Sequence, residues 1–223
     1  MPDTTVSPFW ATGLASWIEA RDDIRAGLQL VLDGVGPTTV VALRAHGGAD
    51  RDHGFYLDAD TIDATTEWAI GKSRSECNLY FQLNQPKGRL KKKAGKQDIA
   101  AIRAGAFVDY DAKAGRSLDH MQASLLRLPL RPSIVIASGG GFQPIWLFPA
   151  PMPATDELVR RVEALTEQMI RSAEKACGGK LDNVFNIDRI LRLPFSTNFP
   201  GKTKIAEGRT VCLSGILHMA VAP

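Results

Sequence analysis

The order of strand and helix signals between residues 104 and 188 constrains this chain's fold more than any other feature. AGAFVDYD (104–111) has the length and β-branched, aromatic character of a strand, and SLDHMQASLLRL (117–128) follows with helical spacing. RPSIVIAS (131–138) and FQPIWLFP (142–149) predict two further strands, joined by a tight turn at Gly139, Gly140 and Gly141. TDELVRRVEALTEQMIRSAEKAC (155–177) predicts a long helix stopped by Gly178 and Gly179, and NVFNID (183–188) an extended piece after it. The order βαββαβ is that of the split βαβ, ferredoxin-like unit. Such a unit places helices on one face of an antiparallel sheet and leaves the other face for a site. Many functions use this scaffold, so the order alone does not specify chemistry.

The N-terminal part reads differently. Leu14, Trp17, Ile18, Ile24, Leu28, Val31 and Leu32 recur at helical spacing over 9–33. Strand-like pieces over 38–60 surround a Gly- and Asp-rich loop at 47–54, and a helix over 61–73 starts from Thr61 or Asp63 as a cap. CNLYFQLN (77–84) alternates apolar and polar residues and predicts a half-buried strand. PKGRLKKKAGK (86–96) is basic and glycine-rich and reads as a mobile connector. The expected fold class is therefore α+β. Two packed modules, an N-terminal α/β unit over 1–96 and a C-terminal ferredoxin-like (RRM-like) antiparallel sheet over 97–223, form a single domain.

Composition limits the rest. With 44% hydrophobic and 23% charged residues in 223, the chain can build a core without staples. The net charge of +3 is too small to identify a nucleic-acid binder, because that footprint is a local patch. Cys77, Cys177 and Cys212 fit neither a disulfide framework nor a CxxC site, and His46, His53, His120 and His218 lack ligand spacing, so zinc is not expected. No apolar stretch is long enough for a bilayer and the N-terminus has no signal-peptide pattern; a cytoplasmic protein without membrane partners is expected.

Three segments carry chemistry. Asp109 and Asp111 stand two apart in a strand, so they project to one face with Val108 and Tyr110 opposite. Two such carboxylates repel unless a cation lies between them, and hard oxygen donors suit Mg²⁺ or Mn²⁺. The bland alternative makes Asp111 the start of the turn DAKAGR and leaves Asp109 facing water. In SGGGFQPIWLF, the three glycines let main-chain N–H groups approach an anion, and Ser138 and Gln143 add neutral donors suited to phosphate. A plain hairpin turn is the alternative. The segment 186–210 places Asp188 beside Arg189 and Arg192, then Asn198, Lys202 and Lys204. A third acid is what a two-metal site needs, and the cations suit triphosphate or a nucleic-acid backbone. A surface pair and a solvated loop are the alternative.

Taken together, Asp-Tyr-Asp ending a strand, Ser-Gly-Gly-Gly-Phe-Gln in a hairpin, and Asp-Arg-Ile-Leu-Arg-Leu-Pro followed by Asn and Lys resemble the archaeo-eukaryotic primase superfamily. The nearest likeness is to primase-polymerases of phages, plasmids and other mobile elements, over roughly residues 77–210. The resemblance implies a catalytic domain over 1–223 with its active site in the cleft between the two modules. It implies that Asp109, Asp111 and Asp188 hold two Mg²⁺ or Mn²⁺ ions. Ser138, Gly139, Gly140, Gly141 and Gln143 would contact the nucleotide's phosphates, with Arg192, Asn198 and Lys202 or Lys204 lining its pocket. Gln143 stands where the family usually has histidine; it can donate a hydrogen bond but carries no proton near neutrality.

The expected reaction is template-directed joining of (d)NTPs to a primer or initiating nucleotide, with release of pyrophosphate. Single-stranded DNA would be the template, bound through Lys91, Lys92, Lys93 and Lys96. Relatives of this kind often carry a helicase domain, which makes a helicase a candidate partner beyond residues 1–223. Two other readings compete. A non-catalytic single-strand binding module would need no divalent metal. A different two-metal enzyme on the same scaffold, a nucleotidyl cyclase or a relaxase, would respectively need no template or need a nucleophilic tyrosine and paired histidines.

Overall fold

The computed structural model describes residues 17–45, 53–111 and 116–219. The expected helix start over 9–16, the loop residues 47–52 and the turn residues 112–115 lie outside the described residues. In chain order the elements are α1 (Trp17–Val35), β1 (Thr38–Arg44), β2 (His53–Leu57), α2 (Ile62–Arg74), β3 (Cys77–Gln82) and β4 (Gln85–Pro86). Then come β5 (Ile99–Phe107), β6 (Tyr110–Asp111), α3 (Leu118–Leu125), β7 (Ile134–Ala137), β8 (Gly141–Pro153) and α4 (Asp156–Cys177). The chain continues through β9 (Ile190–Arg192), β10 (Thr197–Asn198), α5 (Lys202–Ala206), β11 (Cys212–Leu213) and β12 (Gly215–Met219).

Helical periodicity accounts for the helices. In α1, Ile24, Leu28, Val31 and Val35 are buried at spacings of three and four, and α4 does the same with Val159, Val162, Met169, Ile170 and Ala173. Thr155 caps α4 by accepting a hydrogen bond from the Leu158 N–H, and Gly178 ends it at φ +71°, where a side chain would be strained. The last carbonyls of α1 are satisfied from a distance: Arg103 Nε donates to Gly34 O at 2.8 Å and Gln85 Nε2 to Val35 O at 2.9 Å. Among the described residues no helix is long and apolar enough to cross a membrane.

The strands form an α+β architecture of antiparallel sheets. One runs β2-β1-β3-β9, a larger one β12-β7-β8-β5-β4 with β6 also on β8, and β10 pairs β11. The first sheet and the larger one share a core: Leu79, Phe81 and Leu83 from one side meet Phe107, Ile136 and Ile145 from the other, with α1 and α2 closing it. The opposite face of the larger sheet, through Val108, Tyr110, Val135 and Phe142, is covered by α3 and α4.

Three expectations need correction. Residues 183–188 form no strand; the place beside β5 is taken by β4, from earlier in the chain, and β9 joins the other sheet. The backbone there is satisfied by side chains instead: Asn84 Nδ2 donates to Ile187 O at 2.9 Å, Glu163 Oε1 accepts from the Ile187 N–H at 3.4 Å, and the Ile187 side chain is fully buried. The 86–96 segment is no loose connector. Ala94 is buried, its N–H donates to Gln82 Oε1 at 2.8 Å, and Lys91 O accepts from Gly54 N–H at 2.7 Å. Finally, β3 is buried on both faces, because Asn78 and Gln82 are enclosed like the apolar residues between them, and Asn84, two residues past its end, is buried as well.

Candidate active site

Period-two geometry sets the acids. Val108 and Tyr110 point into the helix-covered core, so Asp109 and Asp111 emerge on the other face, half-buried, with side chains 24% and 20% exposed. The Val108 N–H donates to Pro144 O at 3.1 Å, which carries the β5 path on to β6. Tyr110 anchors this end: its hydroxyl bonds Ser124 Oγ and Ala173 O, and burial pushes its pKa up to about 12, so it stays neutral.

The glycine turn closes on itself. Ser138 N–H and Oγ both donate to Gly141 O, at 2.9 and 3.1 Å, so the serine hydroxyl is engaged within the turn. Gly139 has φ +86°, the left-handed conformation that a side chain resists. Gly141 pairs with Asp111, and a Cβ on Gly140 would lie 2.1 Å from Arg209 Nη1, so this guanidinium packs directly on the turn. A cavity of about 300 Å³ behind the turn is lined by Phe142, Cys212, Leu213 and Ile216, but Asp109, Asp111 and Asp188 do not line it. Its lining is largely apolar, with Arg209 and Thr210 as the polar members.

Arg192, expected to face a nucleotide, is instead the hub of a buried network. It is 6% exposed; Nη1 donates to Asn78 Oδ1 at 2.7 Å, and Nη2 to Asn198 Oδ1 at 2.8 Å and Tyr80 OH at 3.1 Å. Its guanidinium carbon lies 4.4 Å from the Tyr80 ring centroid. Burial pushes the Arg192 pKa down, and Tyr80, Cys212 and Asp109 oppose that shift. Asn78 also accepts from Phe199 N–H at 2.8 Å and donates to Phe199 O at 2.9 Å. Arg192 and Asn198 therefore tie β3, β9 and β10 together rather than lining an open pocket. Tyr80 is engaged by the same cation.

Each acid has basic partners. Asp109 Oδ2 lies 3.4 Å from Arg189 Nη2, and Asp111 lies 3.1 Å from Arg209 Nη1 and 3.6 Å from Lys204 Nζ. Asp188 Oδ2 lies 2.9 Å from Lys93 Nζ, while its carbonyl accepts from Gln82 Nε2 at 3.0 Å. Among the described residues no three carboxylate, histidine or cysteine groups are gathered as a metal cage. Asp109 and Asp111 share a face, whereas the carboxylate of Asp188 is held by Lys93. Carboxylate oxygens are hard donors of the kind a divalent cation takes, but here Asp109, Asp111 and Asp188 are each paired with a basic side chain and are not gathered around one point.

The remaining basic residues divide. Lys96 pairs with Glu163 at 2.7 Å, Lys202 is exposed at the start of α5, and Lys91 and Lys92 are exposed on the 87–95 segment. Sequence reasoning missed Arg209, Arg189 as the partner of Asp109, and the amide face of β3. The last had a signal: Asn78, Tyr80, Gln82 and Asn84 occupy alternate positions of one strand, a polar period of two too regular for a water-facing edge.

No protein-family model and no curated protein matches this sequence. Solved structures do. The AEP domain of the cyanophage S-2L primase-polymerase is similar with a TM-score of 0.54 at 17% identity, over 90% of each chain. Primase RepB' is similar with a TM-score of 0.52 at 16% identity, over 88% of this chain and 56% of that one. The catalytic domain of RepB' in complex with initiator DNA gives 0.53 at 14% identity, over 89% and 86%. The chain thus has the fold of primase and primase-polymerase catalytic domains, the fold that the motif resemblance implied.

Proposed function

We propose that the chain is a template-directed nucleotidyltransferase, a DNA primase and/or polymerase that joins (d)NTPs to a primer or initiating nucleotide and releases pyrophosphate. One observation carries the reading beyond the shared fold. Asp109 and Asp111 stand half-buried on one face of a strand end, bordered by the glycine turn, Gln143 and the side chains of Arg189, Lys204 and Arg209.

On this reading Asp109, Asp111 and Asp188 would hold two Mg²⁺ or Mn²⁺ ions, and the chemistry such ions would supply is activation of a 3′-hydroxyl and stabilisation of the leaving pyrophosphate. The protein's own contribution is positioning and charge, with no side-chain nucleophile. The main-chain N–H groups of the glycine turn face the triphosphate, and Lys202, Lys204 and Arg209 neutralise it. Lys91 and Lys92, exposed on the segment that also carries Lys93, meet the phosphates of a single-stranded DNA template. The active site is the strand end that carries Asp109 and Asp111, where Gln143 of the larger sheet meets β9 of the first sheet, within one catalytic domain. A helicase is the partner class this reading adds.

A non-catalytic single-strand binding module is the second reading, and one observation favours it. Lys93, Lys204, Arg189 and Arg209 already balance the three acids, so phosphate need not be repelled without metal. A template-directed assay with labelled NTP and dNTP, with and without primer, in Mg²⁺ and in Mn²⁺, separates the two. Incorporation that requires metal and is abolished by Asp109→Ala, with the melting transition retained, supports the enzyme. Undiminished incorporation in that variant removes the assignment, and metal-independent DNA binding with no incorporation favours the binding module.

A further inference from the structure

Gln143, on β8, is 6% exposed, and both ends of its amide are engaged. The main-chain N–H of Arg192 donates to Oε1 at 2.9 Å. A main-chain N–H can only donate, so the amide oxygen has to face β9. The NH₂ group then faces Asp109, with Nε2 3.3 Å from Oδ1, and an ionised carboxylate can only accept. The two partners fix the same amide orientation independently. The contact to Asp109 is at the long end of hydrogen-bond range, suited to orienting the carboxylate rather than clamping it. Its other oxygen meets Arg189, so Asp109 is held from both sides.

We infer that Gln143 is a positioning residue for Asp109, coupling the acid's rotamer to the backbone of β9, and not chiefly a phosphate ligand. The inference rests on the reading of Asp109 as a metal-binding acid. It also explains how glutamine serves at a place where histidine is usual in the families this sequence resembles. A neutral imidazole likewise offers one acceptor to the Arg192 N–H and one donor to the carboxylate. The substitution therefore preserves the two contacts seen here without needing a proton or a charge.

The test separates metal binding from nucleotide binding. Mn²⁺ affinity is read by electron paramagnetic resonance without nucleotide, and kcat and dNTP KM by primer extension, for the wild type, Gln143→Leu, Gln143→His and Asp109→Asn. Gln143→Leu is expected to weaken Mn²⁺ binding about tenfold, as loss of a group orienting a metal ligand does, with lower kcat and little change in KM. Gln143→His is expected to keep wild-type Mn²⁺ affinity. A KM raised about tenfold with unchanged Mn²⁺ affinity in Gln143→Leu overturns the inference and makes Gln143 a phosphate contact. If Gln143→Leu does not fold, Gln143→Met carries the same comparison. Mn²⁺ binding undisturbed by Asp109→Asn sinks the underlying reading of the acid; loss in Asp109→Asn with none in Gln143→Leu sinks only the role given to Gln143.

Discussion

Two kinds of charge sit within one site. Around Arg192 the groups are short-range and mutually determined: buried Asn78 and half-buried Tyr80 and Asn198 each meet the guanidinium, and Gln143 meets the main chain beside it. Around the acids the partners are long side chains reaching in from loops and a short helix, with Lys93 37% and Lys204 51% exposed. Three side chains meet the two terminal nitrogens of the buried guanidinium, with Nε left unpaired among the described residues, so the first arrangement is held by geometry. An ammonium on a flexible stem gives little net stability and exchanges readily, so the second is replaceable. The difference separates the two regions physically: one is locked by buried contacts, the other is a set of ion pairs that water reaches.

That contrast can be broken most forcefully at the hub. Arg192→Leu leaves Asn198 and Tyr80 without their buried partner and should cost about 3 kcal/mol of stability, read from the urea midpoint at unchanged slope. A loss below about 1 kcal/mol would show that the network is not the structural element described. At the rim, Lys93→Ala should cost less than about 1 kcal/mol, since the lysine is more than a third exposed and its pair is screened. A loss as large as that at Arg192 would erase the distinction. The smallest effect on stability, within about 0.5 kcal/mol, belongs to Lys91→Ala with Lys92→Ala. There the readout is single-stranded DNA affinity against salt, whose logarithmic slope should fall by about two. An unchanged slope would remove these lysines from the template path.

Much of this was legible in the sequence where a local rule sufficed. The Thr155 cap, the apolar spacing and Gly178 delimit α4 within the stretch they predict, and strict alternation put Asp109 and Asp111 on one face. The failures came where distant groups decided. Residues 183–188 read as a strand from their residue types, but Ile187 and Asp188 form a turn, and the Ile187 backbone is met by Asn84 and Glu163, neither marked as a partner in the sequence. Asp188 and Arg189 invite pairing as neighbours, yet adjacent residues diverge in space, and each finds its partner across the fold at Lys93 and Asp109. Nothing in ILRLP reveals that Arg192 is buried beside Asn78.

The amide face of β3 has a consequence for how the molecule can be divided. Asn78, Gln82 and Asn84 grip the backbone at Phe199, Asp188 and Ile187, bridging 121, 106 and 103 positions of sequence. A cut between residues 96 and 97 would take only β4 from the larger sheet, yet it would strip away these three amide contacts and the strand that β9 pairs with, leaving the contacts of Glu163 and Gln143. The segment leading to β9 therefore takes its shape from a strand that precedes it by about a hundred residues, and closures of that range are slow to form. The shape of the second part, in this architecture, is written in the first.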